Sequence, residues 1–289
     1  MGHRQTVAAP GKREALKFRD APSLKNPSTS RRLGGAAAAV LLAAVGFFHR
    51  PSGSRSWAPE FAVPTRFEFS PAGVKITDLR DYAWKKEGGT PRERTVYVAW
   101  DDVVESRLLV SPLSPGRRGP AHVMMGFGLR DGTDLVVSAE ARREGGEAYS
   151  AWRGALRHYE LTYVVSTEAD AVSLRTVHRG APVYQYRLRA DPPALRALFR
   201  DMLERADALS RRPEFYNTLF NNCAQNIRRH ANRLVDRPFG RSWRFLLPGY
   251  LDAEAASRGL LELEGPLDQV REAHRMDLSV ESSATRGPA

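Results

Sequence analysis

The sequence predicts an α+β protein in which an antiparallel sheet is followed by packed helices and preceded by one transmembrane helix. Short runs in the middle of the chain alternate apolar and polar residues, which is typical of half-buried strands. A later segment repeats apolar residues at helical spacing, and sixteen residues near the N-terminus carry no charge. Apolar residues make up 42% of the 289 residues, enough to bury a sizeable core.

The N-terminal region is predicted to be a disordered, basic cytoplasmic leader (residues 1–32) followed by a membrane anchor (residues 33–48). A helix of sixteen residues spans about 24 Å, which is shorter than a hydrocarbon core of roughly 30 Å. Local thinning of the bilayer, or snorkelling of the flanking side chains, would make up the difference. Positive charge before the anchor directs the rest of the chain out of the cytoplasm. A cleaved signal sequence and a buried Ala-rich helix remain alternatives, although residues after Phe48 show no clear cleavage motif.

After the anchor, residues 49–66 are expected to form a juxtamembrane linker, residues 67–265 the periplasmic domain, and residues 266–289 a loose tail. Strands are predicted at 67–69, 74–76, 95–98, 108–110, 121–129, 135–141, 160–165, 171–175 and 183–188. The pair Asp131-Gly132 lies between two of them and indicates a hairpin. Helices are predicted after Pro192, from Cys223, and near 252–260, with Asn221 or Asn222 as the N-cap of the second.

Cys223 is the only cysteine, so an intramolecular disulfide and a cysteine-based metal site are both excluded, and no metal or cofactor is expected. In the first turn of a helix, its sulfur would face unpaired N–H groups and the positive end of the helix dipole. This placement suits a nucleophile, and the same N–H groups suit an oxyanion. Alternatively, Cys223 is a small buried apolar residue. The polar side chains nearby favour the first interpretation; they are Asn217, Asn221, Asn222, Gln225 and Asn226.

His122 is the predicted base because it begins a strand after a Pro/Gly-rich loop. It shares a strand face with Met124, Gly126 and Gly128, where small residues leave room for another element. His230 lies seven residues after Cys223, about 10 Å along the helix, which is too far for a hydrogen bond.

Glu140 is the predicted third member of the site, which would orient His122. A strict two-residue turn would put Glu140 on the opposite face of the hairpin. A three-residue loop or a bulge would put it on the face of His122, opposite Met124. In the alternative interpretation Glu140 pairs with Arg142 or Arg143 at the edge of the sheet.

Many short motifs occur together in one order. They are Arg50-Pro51, Trp57-Ala58-Pro59, Ala121-His122, Gly126-Phe127-Gly128, Asp131-Gly132, Ser138-Ala139-Glu140-Ala141-Arg142, Tyr159-Glu160-Leu161, Tyr163-Val164-Val165, Pro213-Glu214-Phe215-Tyr216-Asn217, Asn221-Asn222-Cys223 and Leu247-Pro248-Gly249-Tyr250. Over residues 50–265 the chain therefore resembles the Lnb N-terminal periplasmic domain family.

The resemblance implies a circularly permuted papain-like (NlpC/P60-like) fold, akin to the lecithin:retinol acyltransferase group, with histidine before cysteine. It also implies lipoprotein N-acyltransfer, with Cys223 as nucleophile, His122 as general base and acid, and Glu140 in support. Substrate or oxyanion contacts are expected from Tyr216, Asn217, Asn221 and Asn222. The chain departs from the family in two respects: Cys223-Ala224-Gln225 stands where relatives commonly have Cys-Thr-Thr, and nothing after Pro248 resembles a further membrane domain.

Three functions are compatible with these features. The first is a cysteine acyltransferase of the inner membrane, with phospholipid as donor and a lipoprotein or small amine as acceptor. The second is a cysteine amidase or peptidase of the cell envelope, and the third a non-catalytic module that binds lipid or lipoprotein. Nucleic acid is not an expected partner, because more than half of the net charge of +11 lies in the leader.

Overall fold

The computed structural model describes residues 1–2, 50–114 and 116–276. Residues 3–49, which hold the predicted anchor and all but two residues of the predicted leader, and the part of the predicted tail after residue 276 lie outside the described residues. Among those described, no helix is both long and apolar enough to cross a membrane. The chain divides into residues 1–50 and 51–289, and every element below belongs to the second part.

The protein is a mixed α+β structure with antiparallel sheets, as the sequence predicts. A three-stranded sheet contains β1 (Arg66–Phe69), β2 (Gly73–Thr77) and β5 (Val96–Ala99), and a separate hairpin contains β3 (Asp81–Lys85) and β4 (Gly88–Arg92). The main sheet has seven strands. They are β6 (Val103–Pro112), β7 (Ala121–Leu129), β8 (Asp134–Arg142), β9 (Glu160–Thr167), β10 (Val183–Arg187), β11 (Glu214–Phe215) and β12 (Arg275–Met276). Their order in the sheet is β11-β9-β8-β7-β6-β10-β12.

Seven α-helices are described around these sheets. They are α1 (Pro59–Ala62), α2 (Ala151–Ala155), α3 (Glu168–Ser173), α4 (Pro192–Arg211), α5 (Cys223–Ala231), α6 (Leu251–Ala256) and α7 (Leu267–Val270). The predicted helix after Pro192 is confirmed as α4, which begins where the Asp191 side chain accepts a hydrogen bond from the Ala194 N–H at 2.8 Å. The helix predicted near 252–260 is shorter, and ends at Ala256.

The main sheet is covered on both faces. Alternate residues of β7, such as Val123 and Phe127, pack with α4 and α5 in the largest apolar cluster, where the rings of Phe127 and Phe199 lie 4.8 Å apart. The intervening residues face a smaller cluster, in which Met124 packs with Ala171 and Val172 of α3. The two faces of β7 therefore contact different elements.

The predicted strand at 171–175 is wrong. These residues belong to α3 and to the π-helical segment Leu174–His178, which follows it directly. The side chain of Thr167 accepts a hydrogen bond from the Asp170 N–H and starts the helix. A short, fully buried apolar run has no clear periodicity, so its pattern does not distinguish helix from strand.

Candidate active site

The hairpin between β7 and β8 closes through a three-residue loop. The Leu129 N–H donates to the Thr133 carbonyl at 2.8 Å, and Gly132 adopts a φ of 85°, which favours glycine. Strand pairing then runs from Gly128 opposite Asp134 to Met125 opposite Val137. Continued along both strands, this register brings Glu140 opposite His122, rather than opposite Met124. The expectation that a three-residue loop places the two residues on one face is confirmed.

Strands β7 and β8 separate where the site begins. Their pairing, among the described residues, ends at Met125 and Val137, although both strands continue. From there β7 stays paired with β6 as far as Ala121, and β8 stays paired with β9 as far as Arg142. The split gives side chains from both faces of the sheet access to one pocket.

His122 is held through one ring nitrogen. Its Nε2 atom lies 2.6 Å from Ser138 Oγ and 3.0 Å from Glu140 Oε1. The Ser138 hydroxyl donates to the same carboxylate oxygen at 2.8 Å, so it accepts from His122 rather than donating to it. Nε2 therefore carries a proton, and Nδ1 is left as the nitrogen that can accept one.

Glu140 is also held by a buried arginine. Arg175 is 2% exposed, and it donates to Glu140 Oε1 at 2.9 Å and to the Ala171 carbonyl at 2.9 Å. Glu140 is thus not paired with Arg142 or Arg143, whose side chains instead bond to the Phe61 carbonyl and to Glu60. Arg175 was missed in the sequence because its segment was predicted to be a strand.

The charges of this cluster stabilise one another. Burial alone would raise the pKa of Glu140, but His122, Arg175 and Arg179 hold that pKa well below its usual range. Burial alone would lower the pKa of His122, but the charges of Glu140 and Cys223 raise it above its ordinary value. Burial lowers the pKa of Arg175 to about 10 against the attraction of Glu140. The carboxylate of Glu140 and the imidazole of His122 therefore each stabilise the charged form of the other.

Cys223 is the first residue of α5 and is 3% exposed. Asn222 is the N-cap, since its side-chain oxygen accepts from the Gln225 N–H at 2.8 Å. Cys223 lines the same pocket as His122, and its charge contributes to the raised pKa of the imidazole. The predicted nucleophile, base and third residue therefore lie together.

The strand face that His122 shares with Gly126 and Gly128 is not the face on which Cys223 packs. The space beside Gly126 and Gly128 is filled by Arg107 and Glu168, and not by the cysteine helix. Cys223 packs in the cluster on the other face of the sheet, with Val123 and Met125. Cysteine and histidine meet at the split between β7 and β8, which strand alternation alone does not reveal.

A pocket of about 260 Å³ opens over these residues. Its lining includes Cys223, His122, Glu140, Tyr149, Tyr216 and Arg179. Tyr216, one of the predicted substrate contacts, lies within hydrogen-bond distance of Tyr149, with 3.4 Å between the hydroxyl oxygens. Burial raises the pKa of Tyr216, so its phenol is neutral.

The three predicted asparagine contacts hold the loop before Cys223. Asn222 also donates to the carbonyls of Thr218 and Phe245, and Asn221 donates to the Phe215 carbonyl at 2.8 Å. Asn217 accepts hydrogen bonds from the N–H groups of Leu219 and Phe220. Their amide groups shape the turn that presents the cysteine, and their contact with substrate stays a prediction.

His230 lies away from this pocket in a network of its own. Its ring bonds to Asp201 at 2.6 Å and to the Tyr163 hydroxyl at 2.7 Å. Burial lowers the pKa of His230 despite Asp201, so it packs as a neutral, hydrogen-bonded residue. No cluster of His, Cys, Asp and Glu that could hold a metal ion occurs within the described residues.

The family model of the Lnb N-terminal periplasmic domain matches residues 92–249. The chain belongs to this family. The match covers more than half of the chain and includes Cys223, His122 and Glu140, which confirms the resemblance seen in the motifs. As an Lnb N-terminal periplasmic domain, this part of the chain is assigned to the periplasm. No curated protein and no solved structure matches the chain.

Proposed function

We propose that the protein is an extracytoplasmic, cysteine-dependent acyltransferase anchored in the inner membrane by residues 33–48. Its donor is a phospholipid, and its acceptor is the N-terminal amine of a lipoprotein or a small amine. One observation carries the proposal: Cys223, at the start of helix α5, lines the same pocket as His122, whose Nε2 lies 3.0 Å from Glu140. The order of histidine on a strand before cysteine on a helix agrees with a circularly permuted papain-like enzyme.

In the first half of the reaction, Nδ1 of His122 takes the thiol proton and the sulfur attacks the ester carbonyl. The oxyanion that forms accepts hydrogen bonds from the N–H groups of Cys223 and Ala224, which have no partner within the helix. When the intermediate collapses, the ester C–O bond breaks. The leaving alkoxide of the lysophospholipid takes the proton from His122, and Cys223 holds the acyl group as a thioester.

In the second half, the acceptor amine attacks the thioester carbonyl and His122 accepts the amine proton. The C–S bond breaks, an amide is released, and the proton returns to the Cys223 sulfur. Glu140 stabilises the imidazolium in both halves, since its carboxylate stays ionised beside the ring. Arg175 keeps that carboxylate in place.

Intact-mass spectrometry of the membrane-purified protein tests the thioester. We expect a mass increment of fatty-acyl size that neutral hydroxylamine removes and that is absent from Cys223→Ala. Addition of a labelled amine should then transfer the acyl group to that amine. If acyl groups were released at the same rate without an amine, the site would be a hydrolase. If neither the increment nor release occurred, a non-catalytic binding module would be the better interpretation.

A further inference from the structure

Exposed apolar side chains concentrate in four segments of the chain. Nine of the thirteen large apolar side chains exposed in the described residues lie in segments 113–120 (leaving out residue 115, which is not described), 149–157, 216–222 and 241–250. We call these segments the rim. Of these nine side chains, the most exposed are Trp152 at 76%, Phe220 at 72%, Leu156 at 67%, Trp243 at 54% and Leu113 at 53%. Contiguous apolar surface of this kind marks an interaction site more often than scattered residues do.

The four segments of the rim are neighbours in space. Thr218 donates to the Ala151 carbonyl at 2.7 Å, which joins segments 216–222 and 149–157. Asn222 donates to the Phe245 carbonyl at 3.1 Å, and the Gly249 N–H donates to the Gly119 carbonyl at 2.8 Å. Leu113, Tyr149 and Tyr216 also line the pocket of Cys223, so three of the four segments border that pocket.

The charge of the rim has one sign. Its segments contain six arginines and no aspartate or glutamate; the arginines are at 117, 118, 153, 157, 241 and 244. Arg118 and Arg244 are paired with Asp252 and Glu254, which lie outside the rim. Arg117, Arg153 and Arg241 are exposed, and Arg153 lies 3.9 Å from Glu147, which is also outside the rim.

We infer that the rim docks onto the surface of an anionic phospholipid bilayer. Tryptophan is suited to the interface between headgroups and acyl chains, and arginine is attracted to the negative surface potential of anionic lipid. Apolar anchors combined with cations of one sign are the composition of interfacial membrane-binding surfaces. A protein interface of mixed polarity would be expected to present acids as well. This inference goes beyond the proposed function, because docking requires no chemistry at Cys223.

A fluorescent reporter on the rim tests docking in the full chain, whether or not residues 33–48 insert. In the Cys223→Ala background, Trp243→Cys leaves one thiol, which is labelled with nitrobenzoxadiazole. Tyr97→Cys, which replaces an exposed aromatic residue of β5 outside the rim, provides the matched control. Both proteins are reconstituted into vesicles of phosphatidylcholine alone or with phosphatidylglycerol.

We expect a several-fold rise in emission and a blue shift for the label at 243 in phosphatidylglycerol vesicles, with little change at 97. The combined change of Arg117, Arg153 and Arg241 to Gln should remove most of this response. The same change at Arg92, Arg130 and Arg189, exposed arginines outside the rim, should not. A label at 243 that stays in water in both kinds of vesicle, or responds equally in both, would overturn the inference. Neither result depends on acyl transfer, so failure of docking and failure of the proposed function are distinguishable.

Discussion

Oε1 of Glu140 lies 3.0 Å from Nε2 of His122, in a position where it also accepts hydrogen bonds from Ser138 and Arg175. One carboxylate oxygen thus orients the imidazole and neutralises a guanidinium that is 2% exposed. A buried charge that loses its partner is strongly destabilising, whereas a paired one contributes little by itself. The proposed reaction and the stability of the fold therefore depend on the same atom.

Glu140→Gln should destabilise the protein and slow acyl transfer. The amide keeps the size of the side chain but removes the charge that Arg175 requires, so we expect a loss of about 3–5 kcal/mol in the free energy of unfolding. Urea denaturation measures it. Glu204→Gln is the control, because Glu204 forms an exposed pair with Arg200, and its loss should be below about 0.5 kcal/mol. Equal effects of the two substitutions would contradict a supporting role for Glu140.

His122→Gln should change stability in a pH-dependent way. The pKa of His122 is raised above its ordinary value near 6.5, so its contribution is complete below that value and is lost as the pH rises through the native pKa. The pKa of Glu140 is held well below 4.5, so its contribution is lost as the pH falls through the native value. The difference in unfolding free energy between wild type and His122→Gln should thus be larger near about pH 6 than near about pH 9.

His230→Gln is a control of opposite sign for this measurement. Because burial lowers the pKa of His230, its contribution is present above about pH 6.5 and is lost as the pH falls. The difference between wild type and His230→Gln should increase with pH. If the difference in unfolding free energy changed with pH in the same direction for both variants, the result would contradict a raised pKa for His122.

The elements of the site could be predicted from the sequence, but not the way they meet. Strand β7, helix α5 and its Asn222 cap follow from local patterns, and the Asp131-Gly132 pair correctly indicated the hairpin. Glu140 lies on the same strand face as His122 only if the loop of the hairpin has three residues rather than two. Local sequence patterns do not decide between these two lengths. The split between β7 and β8 depends on their pairing with β6 and β9, and thus on the whole sheet.

Ser138 and Arg175, which both bind Glu140, are not predicted from the sequence, and for different reasons. Ser138 is an ordinary strand residue by type, and only the register places it between His122 and Glu140. Arg175 is the last residue of the segment 171–175, whose pattern predicts a strand, and an arginine is seldom expected to be fully buried. A fully buried arginine needs an acid, and this requirement was the signal that could have connected it to Glu140.

Asn222→Ala should disorder the approach to Cys223. Loss of the N-cap costs about 1 kcal/mol, and loss of a donor to the Thr218 and Phe245 carbonyls adds about 1–3 kcal/mol. The alkylation rate of Cys223 should also change, because the loop and the start of α5 lose their common support. Asn222→Asp separates the two causes, since it retains the cap acceptor but not the donor, and its loss of stability should be intermediate. An aspartate variant as unstable as the alanine variant would exclude a separate contribution from the cap.

Gly249→Ala should loosen the contact between segments 113–120 and 241–250. An added Cβ would lie 2.7 Å from the Gly119 nitrogen and 2.9 Å from its oxygen, and these backbone atoms cannot move aside as a flexible side chain would. Overpacking of this kind costs about 1–3 kcal/mol. Thermal unfolding measures the cost, and hydrogen exchange shows whether protection is lost first in segment 113–120. Gly240→Ala is the matched control, because a Cβ there meets no atom within 4 Å. Equal melting temperatures for the two variants would show that the glycine contact does not hold these segments together.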